Sequence, residues 1–164
     1  MLKVVAEQPT TPDMVGMMHD VACGEMSLAA VLGVSPEVGE QLVEQALGLA
    51  EAGRLEEAEA LLTQLALVEA ESPLLPMLLG TVRAEQGAFE AAAAAYDEAL
   101  ERHVRSAGHA RFENEVRLLR ARAHMAMGLR EEAQVDLLLA SVGPDAEISR
   151  GAQALLTGMA RIDR

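Results

Sequence analysis

Aromatic side chains are nearly missing from this chain: it has no tryptophan, one tyrosine and two phenylalanines, 2% of its 164 residues. Strands favour aromatic and β-branched residues, whereas the alanine, leucine, glutamate and arginine that dominate here favour helices, so the composition reads as all-α. Positive charge is also short. Thirteen lysines and arginines stand against 26 acids, a formal net charge of −13, and a field of that sign opposes attraction to a phosphate backbone or an anionic lipid surface. Neither nucleic acid nor membrane is an expected partner. Cysteine occurs once, at Cys23, so no disulfide can close within the chain and a reducing compartment is the simpler setting. No stretch reaches the roughly 18 uninterrupted apolar residues of a spanning helix. Met1 to Thr11 carries one positive charge and lacks the apolar run of a secretory signal. A soluble cytoplasmic protein is the expectation. Lys3 is the only lysine, and nothing functional follows from it.

What the chain does have is a repeat. Gly53-Arg54-Leu55-Glu56-Glu57-Ala58 returns 34 residues later as Gly87-Ala88-Phe89-Glu90-Ala91-Ala92, and again after 41 residues as Gly128-Leu129-Arg130-Glu131-Glu132-Ala133. The shorter interval is the period of tetratricopeptide repeats. The glycine lets the chain turn sharply between two antiparallel helices, and the alanine five positions on lets them approach closely. In the second copy Leu79-Gly80, and Ala92 followed by Tyr96, fit further repeat positions, although Pro76 and Arg83 stand where tryptophan and tyrosine are usual. Leu49 and Leu62 take the aromatic sites in the first copy, His124 and Leu137 in the third. The 51% hydrophobic content suffices for one folded unit.

Residues 1–10 lack helical periodicity and read as a flexible arm. Thr11-Pro12-Asp13 is a helix start, opening an extension over 11–34. Met14, Met17, Met18 and Val21 give it an apolar stripe, a candidate homodimer interface that could equally fold back as a cap or lie in the groove of its own chain. Three repeats follow over 35–71, 72–108 and 109–143, with start signals at Ser35-Pro36-Glu37 and Ser72-Pro73. A capping helix over 144–164 carries Ile148, Ala152, Leu155, Leu156 and Met159 on one face. The expected architecture is a right-handed superhelix of three helix-turn-helix repeats. The seven extra residues before the third turn glycine are about two helical turns, which keep a buried face nearly in phase; longer helices broken near Ser106-Ala107-Gly108 are the expectation, and a longer loop is the alternative.

No catalytic constellation stands out. His19, His103, His109 and His124 lack metal-site spacing and Cys23 has no second cysteine to share a zinc ion, so neither metal nor cofactor is expected. His103 and His109 read as surface residues beside a turn, and His124 as a packing residue. Glu56 with Glu57, and Glu131 with Glu132, read as solvated acids in the first turn of a helix. An enzyme is not indicated.

Function in such a scaffold lies on the concave face, formed mainly by the first helix of each repeat. Counting from each turn glycine, the inward positions are Glu40, Val43, Leu47 and Ala50, then Leu74, Met77, Thr81 and Ala84, then Glu115, Leu118, Arg122 and Met125. This set is mostly apolar. It lacks the lysines and asparagines with which some repeat domains capture an acidic carboxyl terminus, and suits an extended client segment that inserts apolar side chains. Methionine at 77 and 125 lets such a surface adapt. The amino-terminal helix or a second subunit is the competing occupant.

From Ser27 to about Leu100 the chain resembles the class II chaperones of bacterial type III secretion, which hold translocator subunits in the cytoplasm. The resemblance lies in Ser27-Leu28-Ala29-Ala30 leading into Ser35 to Gln41, then Leu42, Ala46, Gly53 to Ala58, Leu65, Leu78-Leu79-Gly80, Gln86-Gly87 and Tyr96. It implies dimerisation through the amino-terminal extension and client contact at Val43, Leu47, Leu74, Met77 and Thr81. The scarcity of aromatics and the seven added residues depart from the family pattern. A repeat adaptor in a bacterial signalling or envelope assembly is the alternative.

Overall fold

A computed structural model describes residues 35–106 and 109–162. These form seven helices: α1 (Pro36–Glu51), α2 (Leu55–Val68), α3 (Leu74–Glu85), α4 (Phe89–Arg105), α5 (Ala110–Ala126), α6 (Arg130–Ser141) and α7 (Ala146–Ile162). No strand occurs among the described residues. Each helix packs on the next in sequence, and α7 also touches α5. The result is the all-α tetratricopeptide solenoid that the repeat predicts. Met14, Met17, Met18 and Val21, with the arm and the extension, lie outside the described residues.

The three turn glycines carry the local geometry. Gly53, Gly87 and Gly128 have φ of 76°, 79° and 78°, a left-handed conformation that a side chain disfavours. Each closes its helix with the same pair of bonds. Gly53 N–H donates to Ala50 O at 2.9 Å and Arg54 N–H to Leu49 O at 2.9 Å; Gly87 with Ala88, and Gly128 with Leu129, repeat the pattern. These paired bonds satisfy carbonyls that a helix end otherwise leaves open. The last helix starts differently: Asp145 Oδ1 accepts the backbone N–H groups of Glu147 at 2.9 Å and Ile148 at 3.2 Å. Those bonds hold the Asp145 carboxyl below its ordinary range.

Inside each hairpin a small residue of the first helix meets a large one of the second, 16 positions on. Ala46 shares a buried cluster with Leu62, and Ala121 with Leu137. In the middle hairpin the pair is Gly80 and Tyr96, where the missing side chain makes room: a Cβ on Gly80 would lie 2.5 to 2.9 Å from three ring atoms of Tyr96. The alanines five residues after each turn glycine, Ala58, Ala92 and Ala133, are fully buried. The core is thus assembled from close backbone approach and leucine rather than aromatic bulk.

The seven additional residues enter the helices. α4 and α5 are each 17 residues long, against 14 for α2 and 12 for α3. The break falls between Arg105 and Ala110, where the sequence places it. Longer helices bring His103 against Phe112, with ring centroids 4.9 Å apart and planes 28° from parallel. His103 is therefore 5% exposed, which corrects its reading as a surface residue. His109, just before α5, is exposed.

Candidate functional site

The first helices of the hairpins, α1, α3 and α5, carry the residues assigned to the groove, and α3 and α5 touch. Leu47 on α1 and Leu74 at the start of α3 are 40% and 42% exposed, large apolar side chains left in contact with water. Val43 and Ala50 are half-buried and pack on the cluster formed by Ala46, Leu62, Leu75 and Leu79. Met77 and Ala84 are half-buried against the cluster around Tyr96. Glu40 and Glu115 are exposed. The first two repeats therefore combine two exposed leucines with a partly accessible apolar floor.

Polar groups mark the next stretch. The Thr81 hydroxyl donates to Met77 O at 3.1 Å and accepts from the Tyr96 hydroxyl at 3.4 Å. Burial pushes the Tyr96 hydroxyl above its ordinary range; the Thr81 bond and the positive charge of Arg122 pull it back, and Glu85 adds to the rise. Arg122 and Glu85 thus lie within electrostatic reach of that hydroxyl. Arg122 is exposed.

The third repeat differs from the expectation of an open floor. Leu118 is 8% exposed and clusters with Leu137, Ala152 and Met159, and Met125 packs half-buried on the same group. The cause is α7. Its Gly151 passes so near that a Cβ there would sit 3.6 Å from Leu118 Cδ2. Of the third-repeat positions assigned to the groove, Glu115 and Arg122 are exposed, Met125 is half-buried and Leu118 is buried.

Sequence reasoning missed an ion network between the second and third hairpins. Arg120 on α5 reaches both oxygens of Asp136 on α6, at 2.5 and 2.8 Å, and Asp97 on α4 at 2.5 Å. These carboxylates raise the Arg120 guanidinium further above its already high range. Asp136 is 2% exposed. The available signal was an acid beside the core residue Leu137, on the buried stripe of its helix. His124 lies at 15% side-chain exposure with Nδ1 3.5 Å from Asp136, in the packing role that its repeat position suggests. A second unanticipated feature is an exposed apolar stripe at Val135, Leu138 and Leu139 on α6, continued by Val142 just past its end.

No helix among the described residues is long and apolar enough to cross a membrane. No family model matches the chain, and no curated protein matches it. Solved structures do. The type III secretion translocator chaperone SycD of Yersinia enterocolitica is 20% identical, with a TM-score of 0.72 over 81% of this chain and 98% of that one. A type III secretion complex from Aeromonas hydrophila includes a chain 20% identical, with a TM-score of 0.77 over 89% of this chain and 96% of that one. The Sgt2 tetratricopeptide-repeat domain of Aspergillus fumigatus is 16% identical, with a TM-score of 0.64 over 79% and 83%. The chain has the tetratricopeptide-repeat fold, and along most of its length it resembles in fold a type III secretion translocator chaperone.

Proposed function

We propose that this protein is a non-enzymatic cytoplasmic chaperone that holds an apolar segment of a client protein in the groove of its first two repeats. Val43, Leu47, Leu74, Met77 and Thr81 make the contacts. The observation that carries this reading is the pair of exposed leucines, Leu47 and Leu74, on the first helices of adjacent hairpins. Burying two or three client side chains there contributes about 1.5–3 kcal/mol each before ordering costs. The likeness to a translocator chaperone supports the same reading. An acidic exterior keeps the loaded complex soluble while the groove is filled.

The test begins with the polypeptide that copurifies from the native host, followed by synthesis of its groove-binding segment. Leu47→Asp with Leu74→Asp should weaken binding of that segment by at least about a hundredfold, roughly 2.7 kcal/mol, while the helical spectrum is retained. Undiminished binding by the folded double variant would reject the groove. A second reading, the repeat adaptor, is favoured by the α6 stripe, because an adaptor needs two surfaces occupied together. Ternary assembly that survives the groove substitutions and is lost on Leu138→Glu with Leu139→Glu would favour it.

A further inference from the structure

α6 is apolar on two sides. One side belongs to the core: Ala133, Leu137 and Ala140 are fully buried, and Asp136 among them is held by Arg120. The other side carries Val135, Leu138 and Leu139, with Val142 one position past the helix end, and these four are 57%, 50%, 44% and 82% exposed. Their spacing of i, i+3, i+4 and i+7 is the seam by which one helix packs on another. The repeat does not call for it. Leu138 and Leu139 stand 10 and 11 positions after Gly128; at the same offsets from Gly53 and Gly87 the chain has Thr63 with Gln64, and Asp97 with Glu98, all of them exposed. At these offsets two of the second helices show water polar residues, and the third shows leucine. Charge follows the same division. From Ala133 to Pro144 the one charged residue is Asp136, already paired within the core, so on a chain with a net charge of −13 this stretch is neutral towards solvent.

We infer that the outer face of α6 is the contact through which two copies of this chain associate. Size, shape and charge each select a second copy as the occupant. At those exposures the four side chains present roughly 400 Å² of apolar surface, enough to mark an interaction site. Pairing two copies removes about 800 Å² from water, most of the apolar share of a standard interface of about 1,600 Å². The stripe also complements itself: run antiparallel against its twofold mate, it sets Val135 against Val142 and Leu138 against Leu139. Two molecules that each carry 26 acids against 13 bases repel one another, and the uncharged last two turns of α6 are where they meet at least cost. The groove residues sit on first helices and the stripe on a second helix. Pairing through α6 therefore leaves Leu47 and Leu74 open, and the inference stands apart from the groove reading.

The test is sedimentation equilibrium of the full-length protein over about 1–100 μM, a range that reads association of ordinary strength. The protein should dimerise. Leu138→Glu with Leu139→Glu places four carboxylates in the twofold seam and should raise the dimer dissociation constant at least about a hundredfold, with the helical spectrum retained because both side chains are exposed. Thr63→Glu with Gln64→Glu adds the same charge at the same offsets on α2 and should leave the constant within about twofold. Cysteine pairing reads the geometry without added charge, and decides the matter if the α6 variant loses its helical spectrum: in Cys23→Ser protein, Val135→Cys mixed with Val142→Cys should form a disulfide-linked pair faster than either variant alone. A monomer at every concentration assigns the stripe to a different protein and overturns the inference. So does a dimer that survives Leu138→Glu with Leu139→Glu, or one lost instead on Met17→Glu with Met18→Glu or on Leu47→Asp with Leu74→Asp, which would move the contact to the amino-terminal stripe or to the groove.

Discussion

Replacing Gly80 with alanine sets two effects of opposite sign against each other. Alanine in place of a helical glycine gains about 1 kcal/mol in propensity. At position 80, however, the new Cβ would stand 2.5, 2.7 and 2.9 Å from Cε1, Cδ1 and Cζ of Tyr96, and the ring is buried with no open side to move towards. Overpacking of this kind costs about 1–3 kcal/mol. A rigid ring gives less than a flexible side chain, so the upper part of that range applies and the variant should be less stable by about 1–2 kcal/mol. The first and third hairpins show the remedy, since they pair Ala46 with Leu62 and Ala121 with Leu137 at the same spacing. Tyr96→Leu alone leaves a cavity opposite Gly80 and should cost about 2–3 kcal/mol. Gly80→Ala with Tyr96→Leu rebuilds the pairing used elsewhere in the chain, so the double variant should be more stable than the sum of the singles by about 1–3 kcal/mol. Urea unfolding followed by circular dichroism measures all four proteins. Additive effects, or a stabilising Gly80→Ala, would refute the claim that the middle hairpin is held apart by its tyrosine.

Two further glycines separate space from conformation. Among the described residues neither Gly48 nor Gly87 has an atom within 4 Å of an added Cβ, but Gly87 has φ +79°; Gly48→Ala should therefore stabilise by about 0.5–1 kcal/mol and Gly87→Ala destabilise by about 1–2 kcal/mol in urea unfolding. Arg120→Leu leaves the 2% exposed Asp136 carboxylate without its bidentate partner and should cost about 3 kcal/mol, whereas Arg120→Leu with Asp136→Leu should recover most of the loss. Arg83 and then Gln86 hold the Glu59 carboxyl below its ordinary 4.5. A depressed carboxyl contributes stability that is present above its unfolded value and lost as pH falls through the folded one, so urea midpoints should fall below about pH 4.5, and less steeply in Glu59→Gln.

Features fixed by one or two residues were legible in the sequence. Only glycine accepts the left-handed turn without strain, and only a small residue tolerates the hairpin contact, so Gly53, Gly87 and Gly128 with Ala58, Ala92 and Ala133 announce the scaffold even though leucine replaces the repeat's aromatics. The placement of the seven extra residues was legible for a similar reason, because whole turns leave the buried stripe in phase. Misreadings arose where exposure depends on a distant element. His103 sits beside a turn, as its sequence position says, but the lengthened α5 carries Phe112 onto it. Leu118 occupies an inward register, but α7 comes to rest above it.

The same dependence explains why the candidate site has two halves. In the first two repeats each first helix keeps a large apolar side chain open, Leu47 on α1 and Leu74 on α3. In the third, the neighbour is α7, whose face at Ala152, Leu155, Leu156 and Met159 consumes the apolar floor. Register alone places Leu118 and Arg122 equally in the groove; packing admits leucine to the core and leaves the charged group outside, because a guanidinium without a carboxylate is costly to bury. Arg122, like Glu115, therefore stays exposed on α5 while α7 closes over the apolar side chains of the third repeat.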